Sequence, residues 1–292
     1  MNRLTDRERA GSHDGMLDAS SPPSLDARKL IFAGTASHRG RAIPVSPSNS
    51  VLAHLHYGRT LLGSDLTRTT FATEGRETAL LVMRGACTAR VGGDRHELGL
   101  YDAIYVPRGS AVEVTTSGEV DLVECAAEVN GDYPLQVIRY ADVSKDPRLK
   151  FRTGGAATGR DLNILIGDNV RAGRILAGFT RSVPGNWTSW PPHEHSALLE
   201  ELYVYFDMPS PAFGIQLVYT RPDSPEFVGV VHDGDAVLMP AGYHPNVAAP
   251  GHSINFVWMM AARREVVDRQ FGVVNIQPGF GQGGSGLEAS RK

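Results

Sequence analysis

A chain of 292 residues, 41% hydrophobic and 21% charged, has the make-up of a soluble globular protein with one large or two modest domains. Its 29 Lys and Arg against 32 Asp and Glu leave a net charge of −3, which argues against nucleic acid and anionic membranes as partners. Cys87 and Cys125 lack CxxC spacing, so neither a disulfide framework nor a thiolate metal site is expected, and the usage fits a reducing cytoplasm.

In chain order, residues 1–24 are charged and lack an apolar core, which predicts a disordered lead-in rather than a secretory signal. Short runs with period-two alternation follow, among them TALLVM from Thr78, AIYVP from Ala103, ELYVYF from Glu201, GIQLVYT from Gly214 and INFVWMM from Ile254. Such runs, punctuated by Gly and Pro, predict an all-β fold of sandwich or barrel type. ARREVVDRQF, residues 262–271, is the one candidate amphipathic helix. Residues 279–292 are rich in Gly and Ser and predict a flexible tail. No apolar run approaches the roughly 20 residues of a membrane helix.

One octad occurs twice. Asp102–Gly109 reads DAIYVPRG and Asp235–Gly242 reads DAVLMPAG, each a polar turn, a buried strand and a Pro-x-Gly exit. The repeat predicts a duplication, with one unit over residues 25–140 and a second over 150–278. The copies differ where chemistry is concerned: His244 follows the second octad's Tyr243, and its ungapped counterpart is Ala111. The strand from Glu77 resembles the one from Glu201 but has no His-x-His before it, and the pair His54 and His56 lies too far upstream to replace one. Only the second unit is expected to carry a site.

That site is written in PPHEHSALLEELYVYF. Side chains two apart on a strand share a face, so an extended PPHEH presents His193 and His195 to one point. After a bend, Glu201, Tyr203 and Tyr205 share one face of the next strand, while Glu200 falls among aliphatics on the other. His244, from the Pro-x-Gly-x-His turn, completes three imidazoles and a carboxylate, a donor set for a divalent first-row ion. Glu201 is preferred over Glu200 as the carboxylate ligand.

These residues resemble the cupin superfamily, and more narrowly GNWTSWPPHEH, EELYVYF, GIQLVYT and DGDAVLMPAGYHPNVAAPG are similar to the 5-deoxy-glucuronate isomerase family, itself related to 4-deoxy-5-keto-uronate isomerase. The resemblance implies two tandem cupin (double-stranded β-helix) barrels, a cytoplasmic homo-oligomer, and an aldose–ketose isomerisation of a deoxy-uronic acid in inositol catabolism. It implies one transition metal, zinc or manganese first and iron, nickel or cobalt next, held by His193, His195, Glu201 and His244. An arginine common in that family after the strand glutamine is here Leu217.

The isomerisation needs a Lewis acid, a base to shuttle a proton and a cation for the substrate carboxylate. Tyr203, Gln216, Tyr219 and Arg181 are the expected substrate-binding residues; alternation lets only one of Gln216 and Tyr219 point inward, and Gln216 is preferred. Arg160 and Arg221 are further candidates for the carboxylate. Glu200 and Tyr243 are the candidate bases. The same ligands would also serve a metal-dependent bicupin dioxygenase or a non-catalytic sugar-binding cupin.

Overall fold

The computed structural model describes residues 26–280. Of the expected loose ends, residues 1–24 and all of the 279–292 tail beyond residue 280 lie outside the described residues. Strands dominate, and the one α-helix among the described residues is the four-residue Tyr140–Val143. No described helix is long and apolar enough to cross a membrane.

Two barrels follow one another. In the first, a six-stranded sheet runs Gln136–Ile138, Ala103–Val106, Arg76–Gly85, Val120–Glu128, Leu55–Leu62, Gly40–Val45. It packs on a four-stranded sheet of Arg68–Ala72, Ala111–Thr115, Cys87–Val91 and Asp94–Leu98. In the second, the large sheet runs Ile31–Phe32, Ala236–Met239, Leu199–Tyr205, Asn255–Ala262, Ile175–Ser182, Arg160–Ile166, Lys150–Thr153. Its partner sheet runs Trp187–Thr188, Asn246–Ala248, Gly214–Val218, Phe227–Val231. The long strands are antiparallel to their neighbours although tens of residues separate them in the chain.

The two octads land in equivalent strands, Ala103–Val106 and Ala236–Met239. Their pairing fixes the internal alignment. Val106 stands opposite Thr78, and its equivalent Met239 stands opposite Glu201. The counterpart of Glu201 is therefore Thr78, and Glu77 matches Glu200, one residue away from the alignment expected from the sequence alone.

Alternation sorts the first barrel's long strands between two cores. Leu80, Val82, Val112, Val114 and Leu122 fill its interior, while Ala79, Leu81, Val123 and Cys125 face outward into a larger core shared with Leu202, Val204, Val257 and Met259 of the second barrel. Each such aliphatic side chain contributes about 1.5–3 kcal/mol on burial, so the barrels are joined by a true apolar interface. Thr78 stands where Glu201 stands in the second barrel, and the surrounding interior is aliphatic; Ala111, the ungapped sequence counterpart of His244, is exposed. Both cysteines are buried and free.

The expected division at residues 25–140 needs one correction. Ile31–Phe32 pairs with Val237 and Ala236 of the second barrel, and Leu238 N–H donates to the Leu30 carbonyl oxygen at 2.8 Å. In return Gln136–Ile138, which leads into the second barrel, pairs with Ala103–Tyr105 of the first. Each barrel's lead-in strand thus covers a sheet edge of the other barrel.

Residues 263–268 form bends and turns instead of the expected helix. Val266 has φ 63°, which breaks a helix, and the Glu265 carboxylate accepts hydrogen bonds from the N–H groups of Asn130 and Gly131 in the first barrel. Tertiary contacts override the local periodicity there.

Candidate metal centre

Two separate segments of the second barrel deliver its three imidazoles. His193 lies in the short strand His193–Glu194, which pairs with Asn275–Ile276. His195 follows it, and its carbonyl oxygen accepts from the N–H groups of Leu198 and Leu199 as the chain bends into the strand bearing Glu201. His244 leaves the Pro-x-Gly turn, where Gly242 has φ 93° and a Cβ would lie 2.6 Å from the Tyr219 carbonyl oxygen. Only glycine fits that turn.

The candidate ligand nitrogens of His193, His195 and His244 lie within 4.8 Å of one another. Glu201 Oε2 is 3.0 Å from His195 Nε2 and 3.1 Å from His244 Nε2. Each ring has its other nitrogen against a main-chain oxygen: His193 Nδ1 to Pro191 at 2.9 Å, His195 Nδ1 to Leu199 at 3.3 Å, His244 Nδ1 to Gly242 at 2.9 Å. A carbonyl oxygen only accepts, so each Nδ1 carries a proton and each Nε2 is left to offer its lone pair inward.

These donors fit a cation. His244 Nε2 is buried and makes no hydrogen bond, because its approach to Glu201 is close but misaligned. Burial, with His244 and His195 beside it, pushes His193 down to about 3, keeping the imidazole neutral as a metal ligand requires. Burial also opposes charge on His195, but the Glu201 carboxylate prevails and raises it, so without a cation His195 tends to bind a second proton. A divalent ion among these four side chains would replace that proton and satisfy the orphaned nitrogen.

The centre opens on a cavity between the sheets. Its polar lining is Thr153, Arg160, Thr180, Ser189 and Tyr203, and its apolar wall includes Phe256, Trp258, Met260 and Phe271. The segment Phe271–Val274 lines the cavity, continuing into the strand that pairs with His193–Glu194.

Several expected site residues lie elsewhere. Tyr203 lines the cavity, and its hydroxyl meets Ser189 Oγ at 2.8 Å. Gln216 points inward but is fully engaged by protein: its Nε2 donates to the His244 carbonyl oxygen at 2.9 Å, and its Oε1 accepts from Tyr205 and Asn246. Tyr219 donates to Gln277 Oε1 at 2.6 Å and packs on Tyr243, with neither ring in the cavity wall. Tyr243 is therefore not placed as a base.

Glu200 is not placed as a base either, since its carboxylate faces away from the centre and accepts from the N–H groups of Ala53, His54 and Leu55 at 2.7–2.8 Å. Arg181 pairs with Asp207 and donates to the Tyr101 hydroxyl, and Arg221 pairs with Asp223 at the surface. Register explains the correction for Arg181: it stands opposite Asp161, and Arg160 stands opposite Ser182. The two arginines point to opposite faces, and Arg160 takes the inner one. Sequence reasoning missed Ser189 and the lining segment Phe271–Val274; the apolar FGVV run after the last long strand was the available signal for the latter.

A sequence model of the KduI/IolB family matches residues 31–273. The chain is 26% identical to the 5-deoxy-glucuronate isomerase of Geobacillus thermodenitrificans over 254 residues, covering 80% of this chain and 90% of that one. It is 30% identical over 202 residues to the enzyme of the same name from Shouchella clausii, covering 63% and 73%. Among solved structures, an IolB-like protein from Salmonella typhimurium superposes with a TM-score of 0.76 at 22% identity, over 86% of this chain and 97% of that one. The oxalate decarboxylase of Lactobacillus farciminis superposes at 0.55 with 10% identity, over 79% and 85%, a likeness of fold alone. With the cupin architecture and the family match both in place, the chain belongs to the KduI/IolB family.

Proposed function

We propose that this chain is a metal-dependent isomerase of a deoxy-uronic acid, interconverting 5-deoxy-glucuronate and 5-dehydro-2-deoxy-gluconate as its relatives' names imply for them. The observation that carries the reading is the convergence of three Nε2 atoms and the Glu201 carboxylate at the wall of a cavity that also holds hydroxyl groups and a cation. Zinc or manganese is the proposed ion, since imidazole and carboxylate donors suit both.

The reaction moves a carbonyl from C1 to C2, and the C2 proton must leave while a proton arrives at C1. A bound divalent ion supplies Lewis acidity toward the carbonyl and the neighbouring hydroxyl, which raises the acidity of that C–H. His193, His195, Glu201 and His244 would hold it. Tyr203 keeps its proton, because burial raises its hydroxyl well above the ordinary range, with Glu201 adding to the shift. It is therefore a hydrogen-bond donor to a substrate oxygen, oriented by Ser189. Phe256, Trp258 and Phe271 give the cavity an apolar wall beside these polar groups.

The test is a turnover assay on 5-deoxy-glucuronate, with 4-deoxy-5-keto-uronate and common aldoses alongside, on protein of measured metal content. Conversion of 5-deoxy-glucuronate above the others supports the reading. Oxygen uptake by iron-loaded protein without any isomerisation would replace it with dioxygenase chemistry.

A further inference from the structure

Arg160 is a buried arginine with no carboxylate partner among the described residues. It is 4% exposed and lines the cavity of the metal centre. Its Nη1 donates to the Thr158 carbonyl oxygen at 2.9 Å and its Nη2 to the Trp190 carbonyl oxygen at 2.7 Å. Those contacts use part of a five-donor fork and neutralise no charge. Arg59, equally buried at 4%, is by contrast gripped through two nitrogens by Asp121, and Arg41 by Glu124. Among the described residues no acidic side chain shifts the Arg160 guanidinium, and burial pushes it down to about 10.

An unpaired buried charge is strongly unfavourable, and a fold retains one where a ligand brings the counter-charge. The position is right for a ligand that reaches the metal centre. Trp190, whose carbonyl Arg160 holds, adjoins Ser189; Ser189 Oγ meets the Tyr203 hydroxyl, and the Tyr203 ring stands 5.8 Å from that of His244.

The geometry points to Arg160 as the group that receives the substrate's carboxylate, setting the acid end of the sugar there and its carbonyl end at His193, His195, Glu201 and His244. Arg160 is then the residue that selects sugar acids over neutral sugars, an inference that rests on the isomerase reading for its substrate. The fork geometry matters as well as the charge, because two parallel N–H donors match a carboxylate and a lysine ammonium does not.

Two measurements separate this inference from the isomerase reading. In the first, kcat and KM are compared for 5-deoxy-glucuronate and its neutral counterpart 5-deoxy-glucose in wild type, R160K and R160Q. The preference for the acid should fall by between about tenfold and about a hundredfold in R160Q, chiefly through KM, with R160K between. Equal losses on both sugars would make Arg160 a merely structural support for the Thr158 and Trp190 loops and overturn the inference.

In the second, calorimetry follows binding of glucuronate and of glucose without turnover. Wild type should bind glucuronate well above glucose, and R160Q should lose that difference. Equal glucuronate binding by both proteins, or none by wild type, would overturn the inference. If R160Q does not fold, R160K carries both tests, with a KM for the acid raised about tenfold. Absence of turnover on either sugar in wild type, with charge-selective glucuronate binding intact, would sink the isomerase reading and leave the carboxylate site standing.

Discussion

The side-chain amide of Gln216 holds the main chain of His244: Nε2 donates to the His244 carbonyl oxygen at 2.9 Å, and Gln216 is fully buried. The same side chain accepts from Tyr205 and Asn246, so one amide ties the two sheets of the second barrel to the turn that presents His244. It holds the turn bearing His244 and is not among the residues that line the cavity.

Replacing Gln216 by Leu should therefore weaken metal binding before it affects anything else in the site. Loss of groups that orient metal ligands commonly costs about 10–100-fold in affinity. The Tyr205 hydroxyl and Asn246 amide would be left unpaired in the interior, at about 1–3 kcal/mol of stability each. A competition titration against a chelating dye reads the first effect and denaturant unfolding the second.

Glu77 and Glu200 should behave as a matched pair of inter-barrel clasps. Glu77 accepts from the N–H groups of Gly173, Arg174 and Ile175 of the second barrel at 2.5–2.9 Å, as Glu200 does from residues 53–55 of the first. Either E77Q or E200Q leaves buried N–H groups poorly matched and should cost about 3 kcal/mol. In E200Q the metal content should stay at the wild-type level, because the carboxylate faces away from the ion. Unfolding curves with elemental analysis of the folded protein check both statements.

His56 should make stability fall in mild acid. Burial, aided by Arg76, pushes its imidazole down to about 4 from an ordinary 6.5. Between those values the unfolded chain binds a proton that the folded chain refuses, so stability from this group is full above pH 6.5 and declines as pH falls toward 4. Partial exposure of the ring tempers the size of the effect. H56Q should flatten the stability–pH curve across that window relative to wild type, in unfolding series run at matched ionic strength.

The convergence of three imidazoles and a carboxylate was legible in the sequence because each member sits in a strong local signal. Period-two spacing put His193 with His195 and separated Glu201 from Glu200, and the Pro-x-Gly turn marked His244. The duplication was legible in the octads for the same reason. What was not legible depends on contacts between distant segments. The clasp of Glu200 joins residues 145–147 apart, and no periodicity reports it. The choice between Arg160 and Arg181 rests on a strand register that pairs Arg181 with Asp161, which alternation within one strand leaves open. The helix expected at 262–271 gave way to Val266 at positive φ and to the grip of Glu265 on the first barrel.

Single ligand replacements should separate folding from chemistry. H195A and H244A remove one nitrogen each from the set that lies within 4.8 Å, and both should lower metal content severely and abolish isomerisation. Far-UV dichroism should be unchanged, because the apolar core shared by the barrels lies on the other face of the sheet.

The most direct measurement is turnover of 5-deoxy-glucuronate by wild-type protein before chelation, after removal of metal, and after adding back zinc or manganese. Activity should vanish with the metal and return with it, in proportion to ion bound. Full activity in protein shown to be metal-free would contradict the account.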